Sequence, residues 1–223
     1  MNPIILDIET VAIDDADTYI EAVSAPSNYK SEEAIAKYVT EKRAELIEKA
    51  ALDVDLLRII ALGVQLPGHT PRVLLARDMS ESEMLSWLWE QWDAQPFQRR
   101  LVTFNGLQYD IPALLRRSLY LGVHAPYIQC DRFKHPEVID LMAMLSMDGK
   151  LKFHSLNFYL QRLAYPNGGP DITGAEIAAR YAAGDWAAIE QHCRMDVEAT
   201  KWLAERIGAI PKAQPITETA GAF

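Results

Sequence analysis

The sequence predicts a single α/β domain built on a mixed sheet. Three observations point there. Short β-type runs come early in the chain, helical periodicity dominates its last third, and no internal repeat or break in composition divides it. With 223 residues, 49% of them hydrophobic, the chain has enough apolar material for a core without disulfides or a structural metal.

The first strand is "ILDI" with Ile4 ahead of it, residues 4–8, entered through Pro3. Residues 14–30 are polar and turn-rich and read as an extended loop. Ser31 caps a helix that places Ala34, Ile35, Tyr38, Val39, Leu46, Ile47 and Ala50 at helical spacing. Its alternating lysines and glutamates describe a solvated face. "LLRIIALGVQL", 56–66, is a strand, and "PRVLLAR", 71–77, is its hairpin partner across Pro67–Gly68.

Ser80 and Glu83 have capping-box spacing and open a helix through Trp92. Its Leu85, Leu88, Trp89 and Trp92 form a stripe that belongs in a core rather than under nucleic-acid bases. A strand over 100–105, a helix over 111–121 and a weaker strand over 137–141 follow. The rest is mostly helical to about Arg206. Residues 165–174 form a loop rich in Gly and Pro, and the tail after Ile210 has no periodicity.

A formal net charge of −9 argues against a protein that coats polyanions. It leaves open a nucleic-acid enzyme whose site acids are offset by divalent cations. Cys130 and Cys193 are far apart and form no CxxC pattern, which fits a reducing compartment and argues against a zinc site. With no leader-like N-terminus and no apolar run of membrane-spanning length, the chain reads as cytoplasmic.

Three segments place acids at the ends of apolar elements. Asp7 and Glu9 alternate on one face of the first strand, where two like charges need a cation, a proton or open water. Asp110 follows the Asn105–Gly106 turn, where Asp alone would fit an N-cap. His192 and Asp196 stand four apart on the last long helix, beside the apolar row of Ile189, Cys193, Val197, Thr200, Leu203 and Ile207. In isolation such a pair is ordinary, but a compact α/β domain can bring all three segments together. Asp7, Glu9, Asp110 and Asp196 would then carry four negative charges, matching two divalent cations such as Mg2+ or Mn2+. His192 could accept a proton from an attacking water.

"LDIET", "FNGLQYD" and "HCRMDVEAT" resemble the three motifs of the DEDD superfamily of 3′–5′ exonucleases, which has a ribonuclease H-like fold. Asp7 and Glu9 match its Asp-x-Glu. Asn105, Tyr109 and Asp110 match the second motif, and His192 with Asp196 the third. "DLMAMLS", "HSLNFYLQRL" and the 171–174 loop are similar to the exonucleases related to the proofreading domain of family B DNA polymerases. One departure stands out: His192 occupies the position of the tyrosine subgroup, four residues before the last Asp, not the histidine subgroup's five. One residue turns a helical side chain by about 100°, so His192 is not the equivalent of that subgroup's base.

The resemblance implies that residues 1–210 form the exonuclease domain, with a mostly helical insertion at about 14–55 and a flexible tail at 211–223. It implies that Asp7, Glu9 and Asp196 hold the more buried ion, that Asp7 bridges to a second, and that Asp110 acts on the second through water. Thr10, Asn105 and Tyr109 would contact substrate, and Asp140 would support the site without ligating metal. Arg116, Arg117, Lys150, Lys152 and Arg162 are candidates for a basic path to the cleft, with a solvated surface as the alternative. The expected activity is release of nucleoside 5′-monophosphates from the 3′ end of single-stranded DNA, in DNA replication or repair. With no polymerase domain in the sequence, proofreading would act in trans. RNA as substrate, a structure-specific endonuclease and a catalytically silent nucleic-acid-binding module are the alternatives.

Overall fold

The computed structural model describes residues 3–95, 99–131, 134–169 and 174–212. Five strands form one mixed sheet: β1 (Ile4–Ala12), β2 (Leu57–Gln65), β3 (Arg72–Leu75), β4 (Leu101–Thr103) and β5 (Val138–Asp140). Their order is β3-β2-β1-β4-β5. β1 runs antiparallel to β2 and parallel to β4, so it lies at the centre. Helices α3 (Glu81–Ala94) and α4 (Asp110–Leu121) cover one face, and α8 (Trp186–Arg206) crosses the other. The result is a ribonuclease H-like arrangement in a single domain.

The alternation of β1 decides what each layer receives. Ile4, Leu6 and Ile8 enter the core with Met84, Leu85, Leu88, Trp89 and Trp92 of α3 and Ile111 and Leu114 of α4. The tryptophan stripe is therefore core, and buried Trp89 donates its Nε1 hydrogen to Ser118 Oγ at 2.9 Å. Ile5 packs with Val197 and Leu203 of α8, and Val11 with Ile189 and Cys193. Asp7 and Glu9 share this second face, between Ile5 and Val11.

β1 extends to Ala12 rather than ending at Ile8, because Glu9 to Ala12 continue the ladder with β2. Between Glu9 and Thr10 the register shifts by one residue of β2. Ile60 and Ala61 then both face α8, while Ile59 and Leu62 face α3 and α4. This bulge keeps both cores filled and twists the strand pair beside the acids.

Between β1 and β2 lie α1 (Ala16–Tyr19), α2 (Glu32–Lys49) and a short 3-10 helix, Ala50–Leu52. The expected loop over 14–30 thus contains one helical turn. Ser31 caps α2 by accepting a bond from the Ala34 N–H at 3.2 Å. Among its described side chains none is fully buried, consistent with a solvated helix, and only Ala50 at its end enters the core. α5 (Leu141–Leu145), α6 (Leu156–Arg162) and α7 (Gly174–Ala182) precede α8. Residues 170–173 of the expected loop, and 213–223 of the expected tail, lie outside the described residues. No helix among the described residues is long and apolar enough to cross a membrane.

Candidate active site

Close packing of α8 on the sheet builds the site. Gly63 of β2 is paired with Asp7. A Cβ there would stand 2.7 Å from Cys193 Sγ and 2.7 Å from Val197 Cγ2, so glycine lets the helix approach the strand. This seats His192 and Asp196 over Glu9. His192 Nε2 lies 3.5 Å from Glu9 Oε1 and 3.5 Å from Asp196 Oδ2. Ligand atoms of Glu9, His192 and Asp196 fall within 4.8 Å of one another, as do those of Asp7, Glu9 and Cys193.

Asp110 joins from α4. It is not the N-cap that its position alone suggested: Tyr109 occupies that place, and Asp110 is the first helical residue, buried. It is near enough to Asp7 and Glu9 to raise the pKa of both. Asp140 does cap a helix with its side chain, α5 at the next strand-to-helix junction. Its carboxylate accepts backbone N–H bonds from Met142 (2.9 Å) and Ala143 (3.1 Å) of α5, and from Asn105 (3.1 Å) and Leu107 (3.0 Å). Asp140 thereby fixes the turn that leads into Asp110. The turn also needs Asn105 at φ 68, a left-handed value that Asn tolerates. Gly106 is needed too, since a Cβ there would fall 2.2 Å from Thr103 Oγ1.

The electrostatics of the cluster are those of acids without a counter-charge. Burial, then Asp196, Glu9 and Asp110, hold the Asp7 carboxyl well above its usual range. Burial, then Asp196 and Asp110, do the same to Glu9. Burial pushes Asp110 up to about 7, against the backbone N–H groups of Asp110 and Ile8, and pushes Asp196 up to about 7. Burial lowers the His192 imidazole and raises the Cys193 thiol. No lysine or arginine forms an ion pair with these acids among the described residues. Asp196 Oδ1 and His192 Nδ1 are buried with no hydrogen-bond partner. Clustered oxygens with one imidazole nitrogen and unfilled polar atoms are a donor set suited to divalent ions.

The other expected contacts divide. The hydroxyls of Thr10 and Tyr109 cluster with the Ala51 carbonyl, Thr10 at 3.0 Å and Tyr109 at 2.8 Å from it; with one proton each they make two of the three contacts at a time. They tie the end of the 13–56 segment to the edge of the site, an anchor that the sequence did not reveal. Burial raises the Tyr109 hydroxyl to about 12. Asn105 Oδ1 is buried and unpartnered, beside a cavity of about 480 Å³ lined by Leu107, Cys130, His135, Asp140 and Phe153 among others. Arg116 and Arg117 do not form a basic path. Arg117 bonds Glu81 through Nε at 2.8 Å and Nη2 at 2.7 Å, and Arg116 pairs with Asp55 at 3.2 Å. Gly63 was also missed, although a glycine within a strand pattern signals a close backbone approach.

Residues 52–210 match the family of predicted 3′–5′ exonucleases related to the exonuclease domain of PolB. The chain belongs to this family. Among solved structures it is similar to the family B DNA polymerase of the hyperthermophilic archaeon Pyrobaculum calidifontis, at 14% identity and a TM-score of 0.60. That match covers 93% of this chain and 24% of the polymerase, so the chain spans about a quarter of that protein's length. No curated protein matches it. In this exonuclease family member, the matched segment contains Asp110, His192 and Asp196, while Asp7 and Glu9 lie before it.

Proposed function

We propose that this exonuclease removes nucleoside 5′-monophosphates from the 3′ end of single-stranded DNA, with two divalent ions, Mg2+ or Mn2+. One observation carries the reading. Asp7 and Glu9, Asp110, and Asp196 come from three distant segments to one place where, among the described residues, no lysine or arginine pairs with them. Asp7, Glu9 and Asp196 would hold one ion, and Asp7 with Asp110 the other. Two ions bound there supply the positive charge that activates a water and stabilises the leaving 3′ oxygen. The chain's own part is to fix the acids: β1 aims Asp7 and Glu9, α8 carries His192 and Asp196, and Asp140 holds the turn before Asp110.

Side chains of the 150–162 segment, whose Phe153 lines one cavity with Asn105, Leu107 and Gln108, support a single-stranded substrate. Lys150, Lys152 and Arg162 are exposed and make no ion pair among the described residues, unlike Arg116 and Arg117. Next to them Phe153 is exposed, and His154 stacks on Phe158 at 3.9 Å and 11°. Cations beside flat rings suit phosphates and unpaired bases. Of the three expected contacts, Asn105 has a free acceptor to offer, whereas the Thr10 and Tyr109 hydroxyls are engaged with Ala51. DNA is preferred to RNA because the family is related to a DNA polymerase's exonuclease domain.

A 5′-labelled single strand incubated with Mg2+ or Mn2+ should give a ladder shortened from its 3′ end, faster for DNA than RNA. A 3′-blocked strand should stay intact. Internal cuts on that blocked strand, or no cleavage of any strand, would overturn the proposal. An equal or faster RNA ladder would overturn the DNA preference alone.

A further inference from the structure

His192 sits in a way that hydrogen bonding does not explain. The residue is 5% exposed, and among the described residues neither ring nitrogen has a hydrogen bond of ordinary length. Nδ1 is buried without a partner, and Nε2 faces Glu9 Oε1 and Asp196 Oδ2 at 3.5 Å each. An N–H···O bond spans about 2.7–3.2 Å, so Nε2 is too far to bond either oxygen well. An unsatisfied buried polar group costs about 1–3 kcal/mol. A hydrogen-bonded imidazole would close these gaps, yet the ring stays equidistant from two carboxylates.

The spacing matches a different relation. Atoms bound to one ion at about 2.1 Å lie about 3.0 Å apart in octahedral geometry and about 3.4 Å apart in tetrahedral geometry. The two 3.5 Å separations are close to the tetrahedral edge and about 0.5 Å longer than the octahedral one, so an ion would draw the donors only slightly inward, and all three donor atoms lie within 4.8 Å of one another. The arrangement is fixed by the fold. His192 and Asp196 are one helical turn apart on α8, and the contact at Gly63 seats that helix against β1.

We infer that His192 Nε2 is a ligand of a divalent ion shared with Glu9 and Asp196, and that this half of the site selects Mn2+ over Mg2+. The inference rests on the metal-dependent reading of the site. Its chemistry follows from ligand type: imidazole suits transition metals, whereas Mg2+ prefers carboxylate and water oxygens. It also assigns the lone pair of Nε2 to the ion, so that His192 is not the proton acceptor. The position four residues before Asp196 then has a purpose of its own: it stacks nitrogen and carboxylate along one row of the helix.

Pulsed electron paramagnetic resonance tests this on Mn2+ bound to chelator-treated protein, with no need for turnover. The echo should carry ¹⁴N modulation from one imidazole, and His192→Gln should remove it. The chain has five histidines, and His192 alone belongs to the acidic cluster, so the variant identifies the source. Competition should show the Mn2+/Mg2+ affinity ratio falling about 10-fold or more in His192→Gln. Absence of ¹⁴N modulation in wild type overturns the inference even if the variant fails to fold. Mn2+ that binds wild type, is lost in Asp7→Asn and shows no ¹⁴N modulation would overturn the inference and leave the metal site standing. Unchanged modulation in folded His192→Gln would do the same. Mn2+ that does not bind wild type at all would overturn both.

Discussion

Asp140 and Asp110 are both buried acids at strand-to-helix junctions on one end of the sheet, yet their surroundings are opposite. Asp140 accepts four backbone N–H bonds, caps α5 and pins the preceding turn. Asp110 caps nothing with its side chain and is raised to about 7 by burial, with Asp140 as the next cause. Glu81 repeats the first pattern, since Arg117 clasps both its oxygens inside the fold. The molecule neutralises the carboxylates that hold structure with groups of its own. Asp7, Glu9, Asp110 and Asp196 have no lysine or arginine partner among the described residues, and the two backbone N–H groups at Asp110 do not offset its burial. On the proposed function, the difference separates acids that stabilise the fold from acids that would meet an external charge.

Substitution should divide the two sets. The largest effect is expected on activity: Asp7→Asn or Asp196→Asn should lower 3′-end cleavage more than about 100-fold. The same changes should leave the melting temperature of chelator-treated protein unchanged or raised, because they remove like-charge repulsion. Asp140→Ala should reverse this pattern in a thermal melt. It strips the acceptor from four partly buried backbone N–H groups, and a loss of about 2–4 kcal/mol is expected. Equal destabilisation by Asp7→Asn and Asp140→Ala would erase the distinction.

Gly63→Ala probes the contact that brings the two motif segments together. The added methyl would meet Cys193 and Val197, costing about 1–3 kcal/mol and displacing α8 from β1. Cleavage should fall with stability, and metal affinity should weaken without the loss of any acid. A stable Gly63→Ala variant with full activity would mean that this packing does not set the site.

A smaller effect concerns pH. Asp110 and Asp196 have folded values raised to about 7 from an ordinary 3.8. Between these values the folded state binds more protons than the unfolded chain, so metal-free stability should fall as pH rises from about 4 to 7. The slope is at most about 1.4 kcal/mol per pH unit for each titrating group. Saturating Mn2+ should flatten or reverse it, because the ion replaces the protons. Stability rising over this range in chelator would contradict the picture of uncompensated acids.

Much of this was legible in the sequence, and the limits have physical causes. The apolar stripe of α8 located its buried face, and strand alternation put Asp7 and Glu9 together. Ser31 and Ser80 both cap as their spacing predicted. The identity of the cap near Asp110 was not legible, because a short-range preference cannot tell which carboxylate the backbone of a distant turn will reach. Only the pairing of β4 with β5 brings Asp140 under Asn105 and Leu107. Arg116 and Arg117 looked free for the same reason: Asp55 and Glu81 are far away in the chain. The end of β1 was misplaced because pairing with β2 outweighs the polarity of Glu9 and Thr10.

Calorimetric titration of Mn2+ into chelator-treated protein tests the central claim most directly. Wild type should bind the ion with release of protons, and more tightly as pH rises from 6 to 8. Binding should be lost or weakened at least about 10-fold in Asp7→Asn and in Asp110→Asn, but retained in Glu81→Gln. No Mn2+ binding by wild type, or binding indifferent to Asp7 and Asp110, would contradict the account.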